Sequence, residues 1–235
     1  MKSILMSKNS VCVTIASVCL LVALLSLVIS NSAVAAGVSL SSTRVIYPRE
    51  AKQATINVTN RDQHDSFLVQ SWVSDVQGTK VTDFTVTPPL FVIKPGKSNI
   101  LRIIYSGSAL PADRESVFYL NNKAIPSLSN NMPQGNSLQI ATQAVIKLFV
   151  RPANLTMKPS DAAATLRCQA TGGEITVSNP SPYFVTLVNF TVAGKKQPNT
   201  MVPPKGRQII RATGAVSYQT LNDYGAVTAA LNCKA

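Results

Sequence analysis

The chain has 235 residues, 46% of them hydrophobic, with 22 Lys and Arg against 10 Asp and Glu and a formal net charge of +12. Such a basic balance raises nucleic acid as a partner, but the cations are scattered singly, with no cluster beyond Lys195-Lys196. A single histidine leaves few nucleophile-and-base pairings or histidine-containing metal sets to assemble.

The first 36 residues carry no charge except Lys2 and Lys8, and an apolar stretch runs from Val11 to Ile29. That length competes with a membrane span, yet Ser30-Asn31-Ser32 breaks it before the small residues Ala33-Val34-Ala35-Ala36. An export signal over 1–36 is therefore expected, with cleavage before Ala36 or before Gly37 both fitting the small-x-small rule. A retained anchor is the competing reading. No later stretch is apolar enough to span a bilayer, so no stable membrane insertion is expected after cleavage. Export also removes the chain from cytoplasmic nucleic acid, and no nucleic-acid partner is expected.

Beyond the signal, short runs rich in Val, Ile, Thr and aromatics recur every 10 to 15 residues between Gly, Pro, Asn and Asp. This is the pattern of an antiparallel sandwich. Expected strands are Val38–Tyr47, Ala54–Asn60, Phe67–Ser74, Leu90–Ile93, Ser98–Tyr105, Ser116–Asn121 and Leu138–Val150, then Ala164–Gln169, Glu174–Ser178, Phe184–Val192, Met201–Val202, Gln208–Ala212 and Ala226–Cys233. No convincing amphipathic helix interrupts them. The joint falls at Arg151-Pro152, because proline lacks the amide a central strand needs. Two domains follow, 37–152 and 153–235, in an all-β protein.

Cys12 and Cys19 leave with the signal, so an oxidising compartment would pair Cys168 with Cys233. Two buried free thiols are the alternative. His64 sits in the polar run Asn60-Arg61-Asp62-Gln63-His64-Asp65 and reads as an exposed turn residue. No spacing singles out a carboxylate pair among the acidic residues. Neither catalysis nor a cofactor or metal is expected.

The most informative segment is Leu138 to Arg151. Its even positions, Leu138, Ile140, Thr142, Ala144, Ile146, Leu148 and Val150, are apolar except for Thr142 and share one face of a strand. Lys147 falls on the other face with Val145 and Phe149, either snorkelling to solvent or facing an anionic partner.

Several separate segments together resemble one family. They are Ser42-Thr43-Arg44-Val45-Ile46-Tyr47-Pro48, Val86-Thr87-Pro88-Pro89-Leu90-Phe91, Asp113-Arg114-Glu115-Ser116, Asn121-Asn122-Lys123-Ala124-Ile125-Pro126, Ile146-Lys147-Leu148-Phe149-Val150-Arg151-Pro152, Asn179-Pro180-Ser181-Pro182-Tyr183 and Asn222-Asp223-Tyr224-Gly225. In order and behind an export signal, they resemble the PapD-like periplasmic chaperones of chaperone–usher pili. The resemblance implies two immunoglobulin-like β-sandwiches set at an angle with a cleft between them. It implies a periplasmic protein whose partners are pilus subunits and an outer-membrane usher, working by donor-strand complementation. Arg44 and Lys147 match the family's anchors for a subunit's C-terminal carboxylate. Leu138, Ile140 and Thr142 match the donor strand, where Thr142 departs from the usual larger aliphatic. Glu115, Arg151 and Asp223 match an inter-domain ionic network. The connection from Ile125 to Leu138 is short and lacks cysteine, like the short-loop subfamily. A pilus subunit or adhesin, itself an exported sandwich, is the alternative function.

Overall fold

A computed structural model describes residues 37–127 and 139–234. The expected export signal and Leu138 lie outside the described residues. Seventeen strands follow in chain order: β1 Val38–Leu40, β2 Arg44–Pro48, β3 Ala54–Asn60, β4 Phe67–Ser74, β5 Phe84–Thr87, β6 Leu90–Ile93, β7 Ser98–Tyr105, β8 Ser116–Pro126, β9 Thr142–Arg151, β10 Arg167–Thr171, β11 Glu174–Asn179, β12 Val185–Val192, β13 Lys195–Lys196, β14 Thr200–Val202, β15 Gly206–Ile210, β16 Val216–Thr220 and β17 Leu231–Asn232. The fold is all-β, as two immunoglobulin-like sandwiches.

In the first sandwich a sheet ordered β1-β3-β7-β5 packs on one ordered β2-β9-β8-β4-β6. Alternate residues point inward, so Val45, Val58, Val69, Leu101, Leu120 and Leu148 meet in one core. Each such aliphatic, fully buried, contributes roughly 1.5–3 kcal/mol. The second sandwich sets β10-β11-β15 against a sheet built on β12 and β16 and has its own core around Leu166, Val177, Leu187, Phe190 and Tyr218. Cys168 on β10 and Cys233 beyond β17 form a disulfide joining its two sheets.

Three departures from expectation shape the site. The single strand expected over Val38–Tyr47 is two: Ser42 Oγ donates to the Arg44 carbonyl at 2.7 Å, a local bond that competes with the ladder. Thus β1 pairs antiparallel with β3, while β2 crosses to the other sheet and runs parallel to β9. The strand expected from Leu138 starts at Thr142 among the described residues. In the β8–β9 register Thr142 opposes Ala124, so position 140 would face Pro126, which has no N–H to give. Finally, Pro159–Thr165 forms a 3-10 helix at the junction, where Ala164 was expected to open a strand.

Candidate functional site

The parallel register of β2 and β9 sets Arg44 directly beside Lys147. Val45 and Tyr47 fill the first core, so Arg44 points away from it, as do Lys147, Phe149 and Arg151 on β9. Two cations therefore share one sheet face. Arg44 is only 8% exposed. Its Nη1 donates to the Leu221 carbonyl at 3.5 Å, its Nε is buried without a hydrogen-bond partner, and its guanidinium stands 5.8 Å from the Phe149 ring centroid. Burial lowers its pKa, partly offset by Asp223 and Glu115. Half-buried Lys147 is likewise lowered, first by burial and then by Arg44. Among the described residues no carboxylate lies within ion-pair distance of either.

Arg151, the third cation on this face, is fully engaged. Its Nε meets Glu115 Oε1 at 2.7 Å, and its two Nη atoms meet both Asp223 oxygens at 2.7 Å. The guanidinium also lies 5.1 Å from the centre of the Tyr183 ring. Burial works against its charge, but bonds to Asp223 and Glu115 outweigh that and hold it protonated. Glu115 is 4% exposed, and its Oε2 accepts the Phe184 amide at 2.9 Å. Burial raises its pKa against the pull of Arg151. Both carboxylates are thus spent on Arg151, and Arg44 and Lys147 have no ion-pair partner among the described residues.

Arg44, Arg151, Glu115 and Asp223 line a cleft of about 450 Å³ between the sandwiches, together with Phe149 and Phe184, whose rings are 5.8 Å apart, and Leu221 and Tyr224; Lys147 lies beside Arg44 on the strand but outside this lining. Sequence reasoning did not find Phe184, the Leu221 carbonyl, or the Lys205–Asp113 pair at 2.6 Å, which ties the sandwiches at the surface. Backbone groups and unpatterned loop residues leave no sequence signal.

Upstream of Lys147 the strand is open. Thr142 to Ile146 pair with β8 on one side, while β2 begins only at Arg44; among the described residues nothing pairs with the other edge. Ile140 is 66% exposed and, like Gln139, lies outside β9 rather than on its even face. Thr142 and Val145 are exposed as well. His64 sits in an exposed turn whose amides bond Asp62 Oδ1. Among the described residues no three His, Cys, Asp or Glu side chains converge as metal ligands, and no helix is long and apolar enough to cross a membrane.

Residues 37–156 match the family described as "Pili and flagellar-assembly chaperone, PapD N-terminal domain", and residues 161–231 match "Pili assembly chaperone PapD, C-terminal domain". The chain is 46% identical over 208 residues to the probable fimbrial chaperone SfmC of Escherichia coli K12, covering 86% of this chain and 90% of that one. Among solved structures it is similar to the periplasmic chaperone SfaE, with a TM-score of 0.76 and 40% identity across 85% of this chain and 100% of that one. It is also similar to a chain of the Salmonella enterica complex of the SafA pilin with the SafB chaperone, with a TM-score of 0.77 and 30% identity over 87% and 99% of the two.

Proposed function

This chain belongs to the PapD-like family of pilus-assembly chaperones, and we propose that it captures pilus subunits by lending them the open edge of β9 beside Arg44 and Lys147. The observation that carries this reading is a strand edge, unpaired among the described residues, that runs straight into two cations with no ion-pair partner there. A strand laid along Thr142–Ile146 in line with β2 runs parallel to β9, as β2 does, and ends its C-terminus against Arg44 and Lys147. The chemistry fits a terminal carboxylate: a guanidinium fork and an ammonium give charge-assisted hydrogen bonds, strengthened by burial. Main-chain bonds along the edge supply affinity, and the side chains of positions 138, 140 and 142 would enter the gap of a subunit lacking its last strand.

In this reading the signal is removed, the sandwiches 37–152 and 153–235 work in the periplasm, and Glu115, Arg151 and Asp223 fix their junction. Binding is stoichiometric, needs no nucleotide or metal, and ends when an outer-membrane usher takes the subunit. The complex of the SafA pilin with the SafB chaperone supports pilus subunits as the partner class. A subunit or adhesin is not favoured, since the matched relatives are named as chaperones.

Hydrogen exchange tests the reading. A synthetic strand of alternating apolar and polar residues with a free C-terminal carboxylate should protect amides within 142–146. Unchanged exchange there, with binding detected by calorimetry, would place the partner elsewhere.

A further inference from the structure

The six-residue loop Leu221–Ala226 belongs to the second sandwich yet reaches the anchor of the first. It is closed on itself: Asn222 Oδ1 accepts from the amides of Tyr224 at 3.0 Å and Ala226 at 2.9 Å, and the Gly225 amide donates to the Asn222 carbonyl at 2.9 Å. A loop so tied moves as a unit.

It is docked on the first sandwich at two points. Asp223 takes both Nη atoms of Arg151. Gly225 lies against Thr43, the residue before Arg44; a Cβ there would collide with Thr43 Oγ1, and its φ of +81° favours glycine. At its first residue the loop also offers the Leu221 carbonyl to Arg44 Nη1, while Arg44 Nε is buried without a partner.

We infer that this loop is a positioning element for Arg44, so that the grip on a client's terminal carboxylate is set across the junction between the sandwiches. The inference deepens the carboxylate-anchor reading and rests on it. An arginine on a long stem loses side-chain freedom when it grips a ligand, and a carbonyl that already holds one of its nitrogens reduces that loss. Asp223 and Gly225 act through Arg44, and need not touch the client.

The alternative role for Asp223 is that of a plain counter-charge, and the two roles have opposite signs. Removing a negative charge beside Arg44 by Asp223→Asn would strengthen carboxylate binding through space, whereas freeing the loop would weaken it. The test measures, by calorimetry on the mature protein, the affinity of the synthetic alternating strand with a free C-terminal carboxylate and with a C-terminal amide. The wild-type protein should prefer the carboxylate. Asp223→Asn should reduce that preference by about fivefold or more despite the added positive charge, the lower range of ordinary site coupling. Gly225→Ala keeps every charge and displaces the loop, and should reduce it likewise. Thermal unfolding establishes that each variant is folded, and if one is not, the other decides. A preference unchanged or widened in Asp223→Asn, or unchanged in Gly225→Ala, overturns the inference. A wild-type protein indifferent to the amide contradicts the carboxylate reading itself.

Discussion

Glu115 carries the strongest conflict of forces in the cleft. Arg151 and the Phe184 amide favour its charged form, but burial wins and its pKa lies above the usual 4.5. The folded protein therefore takes up this proton more readily than the unfolded chain as pH falls. Stability contributed by the group is then fully present below about 4.5 and is lost as pH rises through the raised value. Glu115→Gln lacks that dependence. The unfolding free energy of wild type minus that of the variant should shrink as pH rises through this window and level off above it, measured by urea titration at a series of pH values. A difference that grows with pH would mean that Arg151 dominates Glu115. At this scale the sequence was only partly legible. Alternation put Lys147 on the face of Val145 and Phe149, but its pairing with Arg44 depends on a parallel register between strands about a hundred residues apart. Only the resemblance supplied that pairing, and it also supplied Glu115, Arg151 and Asp223 as a set.

Strand β9 does two things along its length. From Lys147 onward it is a central strand, with β2 on one side and β8 on the other and Leu148 and Val150 in the core. Before Lys147 it is an edge, the kind of template that proteins normally protect. If the alternate side chains there enter subunit pockets, Ile140→Asp should abolish complex formation in a pull-down, because an unpaired charge would be buried in an apolar site. Gln139→Asp, on the opposite face, should leave the complex largely intact. Thr142→Leu should tighten binding by about 1 kcal/mol if the pocket has room for a full aliphatic and weaken it if the pocket is matched to threonine. Equal tolerance of Asp at 139 and 140 would sink the alternating readout. The period-two pattern located this strand but overran its start, since the pattern knows nothing of Pro126 on the neighbouring strand. It also passed over Phe84–Thr87, which abuts two prolines, and Val216–Thr220, whose partly buried Ser217 and Gln219 alternate with the inward Val216, Tyr218 and Thr220.

The whole molecule is two separately packed sandwiches joined by a polar seam. Hydrophobic periodicity was enough to foresee two all-β cores, because each core closes on its own chain segment. The seam was harder to foresee, since it rests on single groups: Arg151 between two carboxylates, the Glu115 amide on the Pro182 carbonyl at 2.9 Å, and Phe149 beside Phe184. Its geometry leaves Arg44 and Lys147 without an ion-pair partner among the described residues, beside the open edge of β9. Each should anchor a client carboxylate with roughly 1.5–3 kcal/mol, the range of a charge-assisted hydrogen bond. The decisive measurement is co-purification of the organism's pilus subunits with the wild-type protein and with Arg44→Ala and Lys147→Ala, each checked for folding by its thermal midpoint. Both variants should stay folded and lose the subunits that the wild-type protein retains; undiminished recovery with both would contradict capture through the terminal carboxylate.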